Sequence, residues 1–317
     1  MFTGTLLAAL APIAILICLG VVLRRSGFMH DAFWPMAERL CYFVLLPALF
    51  FNGMATARLD GVPALAIAAV LLIPLLAITA LLMLLRRVFA IDDAGYTSLV
   101  QGAIRFNNYA ALTAGIGLLG AGSALPIAAV ATTVIVTTVN ILCALVFARY
   151  GGTAKNLRGV LASIIFNPLV VACALGGAVQ ISGLPVPGPL EAVLRSLGQA
   201  SLAIGLICVG AGLTFVSFRP QATSVVAVCV IKLMAMPLAT TAACIAFGLT
   251  GPAALIAILF QAMPTASSSY VMARQLGGDA PLMACIIAVE TVLAAITVPA
   301  VLIVANMFGT IDLRLQS

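Results

Sequence analysis

Two polar clusters interrupt otherwise apolar sequence, and both carry groups suited to holding an anion. The first, "GAIRFNNYAALTAGIG" at residues 102–117, sets Arg105, Asn107, Asn108 and Tyr109 close together and follows them with Gly115 and Gly117. The second, "MPTASSSY" at residues 263–270, places Pro264 ahead of Thr265, Ser267, Ser268, Ser269 and Tyr270. A guanidinium, two carboxamides, a phenol and several hydroxyls supply hydrogen-bond donors for a carboxylate, and the guanidinium adds a full positive charge. A structural role is the alternative, because Ser, Thr and Asn also hydrogen-bond between packed membrane helices. Arg105 in turn can contact the anion or snorkel to the cytoplasmic surface.

The elements that must position these groups are membrane helices. Hydrophobic residues make up 64% of the 317 and charged residues 8%, and the mean hydropathy is +1.25. An ordinary soluble domain is about 45–50% apolar and about 25% charged. A hydrocarbon core of about 30 Å requires helices of about 20 apolar residues. Ten such spans occur, at 4–24, 36–56, 63–86, 97–119, 124–149, 159–181, 192–216, 222–248, 252–275 and 280–308. They are continuous and too long for the alternating strands of a membrane β-barrel. The fold class expected is therefore an all-α membrane bundle, and the spans leave no room within these residues for a soluble domain.

Arg24, Arg25, Arg86, Arg87, Arg149, Lys155, Arg158, Arg219 and Arg274 follow the odd-numbered spans, whereas the other side holds Arg58, Arg195 and the tail residue Arg314. The positive-inside rule then places both termini outside, and the net charge of +6 marks topology rather than nucleic-acid binding. The first span has no positive residue before it and two after it, the reverse of a signal peptide, so it is expected to remain as a helix. All eight cysteines fall within spans without a C-x-x-C pair, and the one histidine, His30, lies in a loop. Packing is the expected role of the cysteines, and neither zinc chemistry nor a Ser-His-Asp triad has a basis.

An internal repeat organises the spans. Pro12, Gly20 and Gly27 recur as Pro168, Gly176 and Gly183, displaced by a constant 156 positions, and Gln101 recurs as Gln261, displaced by 160. Five spans per half is an odd number, so the halves enter the membrane from opposite sides. The expected division is 1–156 and 157–317, two inverted five-helix repeats, with the substrate site at mid-membrane where spans four and nine meet. Outside the clusters, Lys232 and Glu290 lie well inside spans, and Glu38 and Arg39 lie at the start of span two. Intramembrane charges are functional candidates. Glu290 would carry a coupling proton, or form a static buried pair with Lys232.

"NNYAALTAGIG", "FNPLVVACALGG" and above all "MPTASSSYVMARQLGGD" resemble the auxin efflux carrier family, which includes plant PIN-type auxin transporters and bacterial malonate and malate carriers. The resemblance implies ten helices in two inverted repeats, related to bile-acid symporters and sodium/proton antiporters. It also implies scaffold and transport units, each formed from both repeats and moving as an elevator, with helices four and nine broken and crossed at the substrate. By position, the family's span-four asparagine falls on Asn108 and its span-nine proline on Pro264; its span-four proline position is Gly115 here, so Gly115 and Pro264 are the expected helix breaks.

The function expected is secondary transport of a small organic acid anion across the cell membrane. Arg105, Asn107, Asn108, Tyr109, Pro264, Thr265, Ser267, Ser268 and Ser269 would form the binding site. No phosphate-binding loop G-x-x-x-x-G-K-[ST] is present, and no cofactor is expected beyond a coupling H+ or Na+. The alternatives are a sodium-coupled symporter, with Gln101, Gln261 or Glu290 holding the ion, an intramembrane serine enzyme using Lys232 as base, and a channel. The partners expected are the organic anion and the lipid bilayer, with a homodimer left open and no nucleic acid.

Overall fold

The structure, a computed structural model, describes residues 2–56, 62–151, 168–213 and 222–311. Arg58, Lys155, Arg158, Arg219 and Arg314, on which part of the orientation expectation rests, lie outside these residues. The described residues form twelve α-helices and no strand: α1 (Phe2–Arg25), α2 (Phe33–Ala55), α3 (Ala64–Leu84), α4 (Asp93–Ile104), α5 (Asn108–Leu119), α6 (Ala121–Tyr150), α7 (Pro168–Ser182), α8 (Gly188–Gly212), α9 (Ala222–Phe247), α10 (Gly251–Ala262), α11 (Ser268–Leu276) and α12 (Ala280–Met307). Six of them, α2, α3, α6, α8, α9 and α12, are long and apolar enough to cross a membrane. Leu65, Ile181 and Ile296 stand exposed on their helices, which suits lipid and not water.

Sequence chemistry accounts for the helix ends. Asp92 caps α4 through Gly95 N at 2.8 Å, and Asp279 caps α12 through Leu282 N at 2.9 Å. Each satisfies an amide that the first helical turn leaves without a partner. Both α2 and α9 contain a π-helical turn, Cys41–Leu45 and Ile231–Ala235, with a proline shortly after it, Pro47 and Pro237. A proline ring clashes with the carbonyl four residues back, and a widened turn relieves that clash while disturbing the regular bonding. Lys232 lies in the second of these turns.

Helix contacts concentrate in two groups, which are joined by packing of α1 and α8 on α5 and of α2 and α7 on α6. In the first, α1 packs on α8, α7 on α2, and α2 on α8; in the second, α3 to α6 pack with α9 to α12. Glycines bring backbones together in the first group. A Cβ on Gly20 would lie 2.0 Å from Ile207 O, and one on Gly176 would lie 2.6 Å from Phe51 O. The ends of α1 and α7 match in detail. Ser26 and Ser182 donate to Leu23 O and Val179 O, and Gly27 and Gly183 follow with φ of 67° and 68°.

Two expected spans are interrupted. The run 97–119 becomes α4 and α5, separated by Arg105–Asn107, and the run 252–275 becomes α10 and α11, separated by Met263–Ser267. The expectation of a break at Gly115 is corrected: Gly115 lies inside the continuous α5. Its lack of a side chain serves packing, because a Cβ there would come within 2.7 Å of Ile256 Cδ1 on α10. The interruption falls instead at Asn107, whose extended backbone (φ −87°, ψ 102°) lets its side-chain oxygen accept from Ala110 N at 3.1 Å. A short polar side chain that bonds nearby amides competes with the helix and begins a new one.

Candidate functional site

The two interruptions cross and are bonded to each other. Asn107 N donates to Pro264 O at 2.7 Å. Thr265 Oγ1 donates to Gly102 O at 2.7 Å and lies 3.5 Å from Arg105 O. Gly102 O is one of the last carbonyls of α4, which the helix itself leaves unsatisfied, so Thr265 fills a vacancy that the break creates. Thr265 N in turn donates to Glu290 Oε2 at 2.8 Å. Met263, ahead of Pro264, is extended (φ −69°, ψ 144°), as the residue before a proline prefers. Phe106 stacks on Phe260 at 5.5 Å between ring centroids and closes the apolar side of the crossing.

Donor groups collect around this knot. Arg105 reaches Asn140 Oδ1 of α6 at 3.4 Å and Met272 Sδ of α11 at 3.5 Å through Nη1, and Ser268 Oγ at 3.3 Å through Nη2. It is thus held between helices instead of extending to the membrane surface. Asn108 Oδ1 accepts from Thr132 Oγ1 of α6 at 3.0 Å. Arg105 Nε, Asn107 Nδ2, Asn108 Nδ2, Tyr109 OH and Ser269 Oγ are buried with no hydrogen-bond partner among the described residues. The helices α5 and α11 both begin here, and helix N-termini present free amides and a positive dipole end.

Not every candidate residue contributes in the same way. Ser267 Oγ donates to Glu38 Oε1 of α2 at 2.8 Å, which commits its one hydrogen to another carboxylate. Gln101, Gln261, Lys232 and Glu290 are buried. Gln261 donates to Leu71 O at 3.2 Å, whereas both amide atoms of Gln101, Lys232 Nζ and Glu290 Oε1 have no hydrogen-bond partner among the described residues. The static Lys232–Glu290 pair expected as one alternative is absent as an ion pair within 4.0 Å among the described residues. Glu290 Oε2 accepts from the Thr265 amide, while Lys232 stays close enough to Glu290 to interact with it electrostatically.

Sequence reasoning noted Glu38 only as a charge at the start of span two and left out Thr132, Asn140 and Met272. Thr132 and Asn140 lie eight positions apart on α6, a spacing that puts both on one helix face, and that was the available signal.

Residues 152–302 match the family model described as "Membrane transport protein", the auxin efflux carrier family domain. The matched stretch holds Lys232, Pro264 to Ser269 and Glu290, while Arg105 to Tyr109 precede it. A search of curated proteins finds no match to the chain. Over residues 152–302 the chain is thus similar to the membrane transport domain of the auxin efflux carrier family, and its several long apolar helices suit a multi-pass membrane protein.

Proposed function

We propose that the protein is a secondary transporter of a small organic acid anion, bound where the interrupted helices cross. The observation that carries this reading is the set of buried donors without partners, Arg105 Nε, Asn107 Nδ2, Asn108 Nδ2 and Tyr109 OH, gathered at the start of α5. A buried polar atom left without a partner costs about 1–3 kcal/mol, and a bound carboxylate would satisfy several at once. Thr265 and Pro264 shape the site through the backbone, and Ser268 and Ser269 line it from α11.

Alternating access by an elevator motion fits the two packing groups, with α1, α2, α7 and α8 as scaffold and the remaining helices as the moving unit. Ten spans in two inverted repeats, with the interrupted spans four and nine each counted once, agree with the paired contacts. Gly20 on Ile207 O and Gly176 on Phe51 O are one contact displaced by 156 positions, and so are the serine and glycine caps of α1 and α7. The halves 1–156 and 157–317, the outside placement of both termini and residence in the cell membrane belong to the same proposal.

A sodium-coupled form is a second reading, favoured by the free oxygens of Gln101, Gln261 and Glu290. In proteoliposomes, replacing sodium by choline would abolish transport on that reading and leave it unchanged without sodium coupling. The main reading is tested by a thermal-shift screen of organic acids on the purified protein, repeated with Asn108→Ala. It predicts stabilisation of the wild type by at least one carboxylate and a weaker response of the variant. No response in the wild type, or an equal one in both, refutes it.

A further inference from the structure

We propose that Glu38 selects the substrate, so that the anion carried is one that also brings a hydrogen-bond donor, a hydroxyl, an ammonium or a protonated carboxyl, to the Glu38 carboxylate. This rests on the crossing being the carboxylate site. The adjacent residues Ser267 and Ser268, at the start of α11, contact opposite charges. Ser267 Oγ donates to Glu38 Oε1 at 2.8 Å, and Ser268 Oγ receives Arg105 Nη2 at 3.3 Å. An acid and a guanidinium thus stand on neighbouring hydroxyls, one presented by α2 and the other by the end of α4.

Among the described residues no cation forms an ion pair with the acid. The ion pairs Arg24–Asp31, Arg86–Asp93 and Arg195–Glu191 do not include Glu38. Cys41 of α2, Cys208 of α8 and Tyr109 of α5 lie near enough to interact with it, and none of the three is a cation. Ionised carboxylates have about four acceptor positions, and Ser267 uses one. Tyr109, whose hydroxyl has no hydrogen-bond partner among the described residues, is close enough to interact with the same carboxylate. A substrate lying between Arg105 and Glu38 therefore meets donors at one end and an acceptor at the other. A second ionised carboxylate at the Glu38 end would be repelled, since like charges at this range disfavour joint ionisation. A site built to hydrogen-bond a substrate hydroxyl also discriminates strongly against the analogue lacking it.

The test measures dissociation constants for the full chain in detergent at pH 7, using lactate against propionate, 3-hydroxybutyrate against butyrate, and malonate and succinate as dianions. The wild type is expected to bind at least one hydroxy acid tenfold or more tightly than its deoxy analogue, and tighter than either dianion. Glu38→Gln keeps the shape and still accepts from Ser267. It is expected to reduce the hydroxyl preference below threefold and to strengthen dianion binding at least tenfold. A wild type that binds dianions as tightly as hydroxy acids, or a Glu38→Gln protein with unchanged ratios, overturns the proposal while leaving the carboxylate site standing. Should Glu38→Gln not fold, the wild-type ratios decide alone. Absence of binding by every acid overturns both the proposal and the site on which it rests.

Discussion

Replacing Thr265 by valine tests whether the crossing is held by the bond that the geometry assigns to it. The side chains match in shape, and Thr265 is fully buried, so packing is nearly preserved while the hydroxyl is lost. Thr265 Oγ1 is the donor to Gly102 O at 2.7 Å; without it a buried carbonyl at the end of α4 has no partner. Stranding such a group costs about 1–3 kcal/mol. Thr265→Ser keeps the bond and loses one methyl, worth about 0.8 kcal/mol. Thermal unfolding in detergent should therefore fall on the order of a few degrees for valine and less for serine. Carboxylate affinity should drop for valine as well, because Asn107 and Pro264 are bonded across the same knot. A valine variant that unfolds at the wild-type temperature, or below which the serine variant falls, refutes this account of the crossing.

Three glycine substitutions extend the test. Gly20→Ala puts a Cβ 2.0 Å from Ile207 O, backbone against backbone, and should destabilise by at least about 1–3 kcal/mol, seen as a lower unfolding temperature; an unchanged one contradicts the α1–α8 packing. Gly115→Ala meets the ends of the Ile256 and Leu259 side chains, at 2.7 and 3.9 Å, and gains up to about 1 kcal/mol of helix propensity, so its unfolding temperature should stay within about a degree of wild type. Gly205→Ala sets a Cβ 2.4 Å from the Tyr109 ring; carboxylate binding should weaken at least tenfold in a titration, and wild-type affinity would remove Tyr109 from the site.

Much of this architecture can be read in the sequence, because bilayer thickness makes the length of an apolar run a direct constraint on helices. The spacing of Pro12, Gly20 and Gly27 and its recurrence is legible for the same kind of reason. A glycine such as Gly20 is required where backbones touch, and a capping glycine such as Gly27 where φ is positive. The position of the span-four break was less legible. A glycine such as Gly115 signals either a break or a close approach, and Ile256, which decides between them, is distant in sequence. Asn107 carried the local signal as an N-cap, although nothing apolar around it changes. Glu38 lies near the start of a span, where a charge ordinarily meets headgroups. Only the rotation of α2 turns it to Ser267. Lys232 and Glu290 suggested a pair by opposite charge; they are electrostatic neighbours, and the Thr265 amide, freed by the break, is a further partner of the carboxylate that no sequence pattern announces.

The central claim, that a carboxylate is carried at the crossing, is tested most directly by counterflow of a labelled organic acid in proteoliposomes loaded with the same unlabelled acid. The acid is the one that most stabilises the purified protein, and wild type is compared with Asn108→Ala. The account predicts saturable accumulation of label with wild type and a loss of at least tenfold with the variant, whose Nδ2 is one of the buried free donors. Counterflow that does not saturate, or that Asn108→Ala leaves intact, contradicts it.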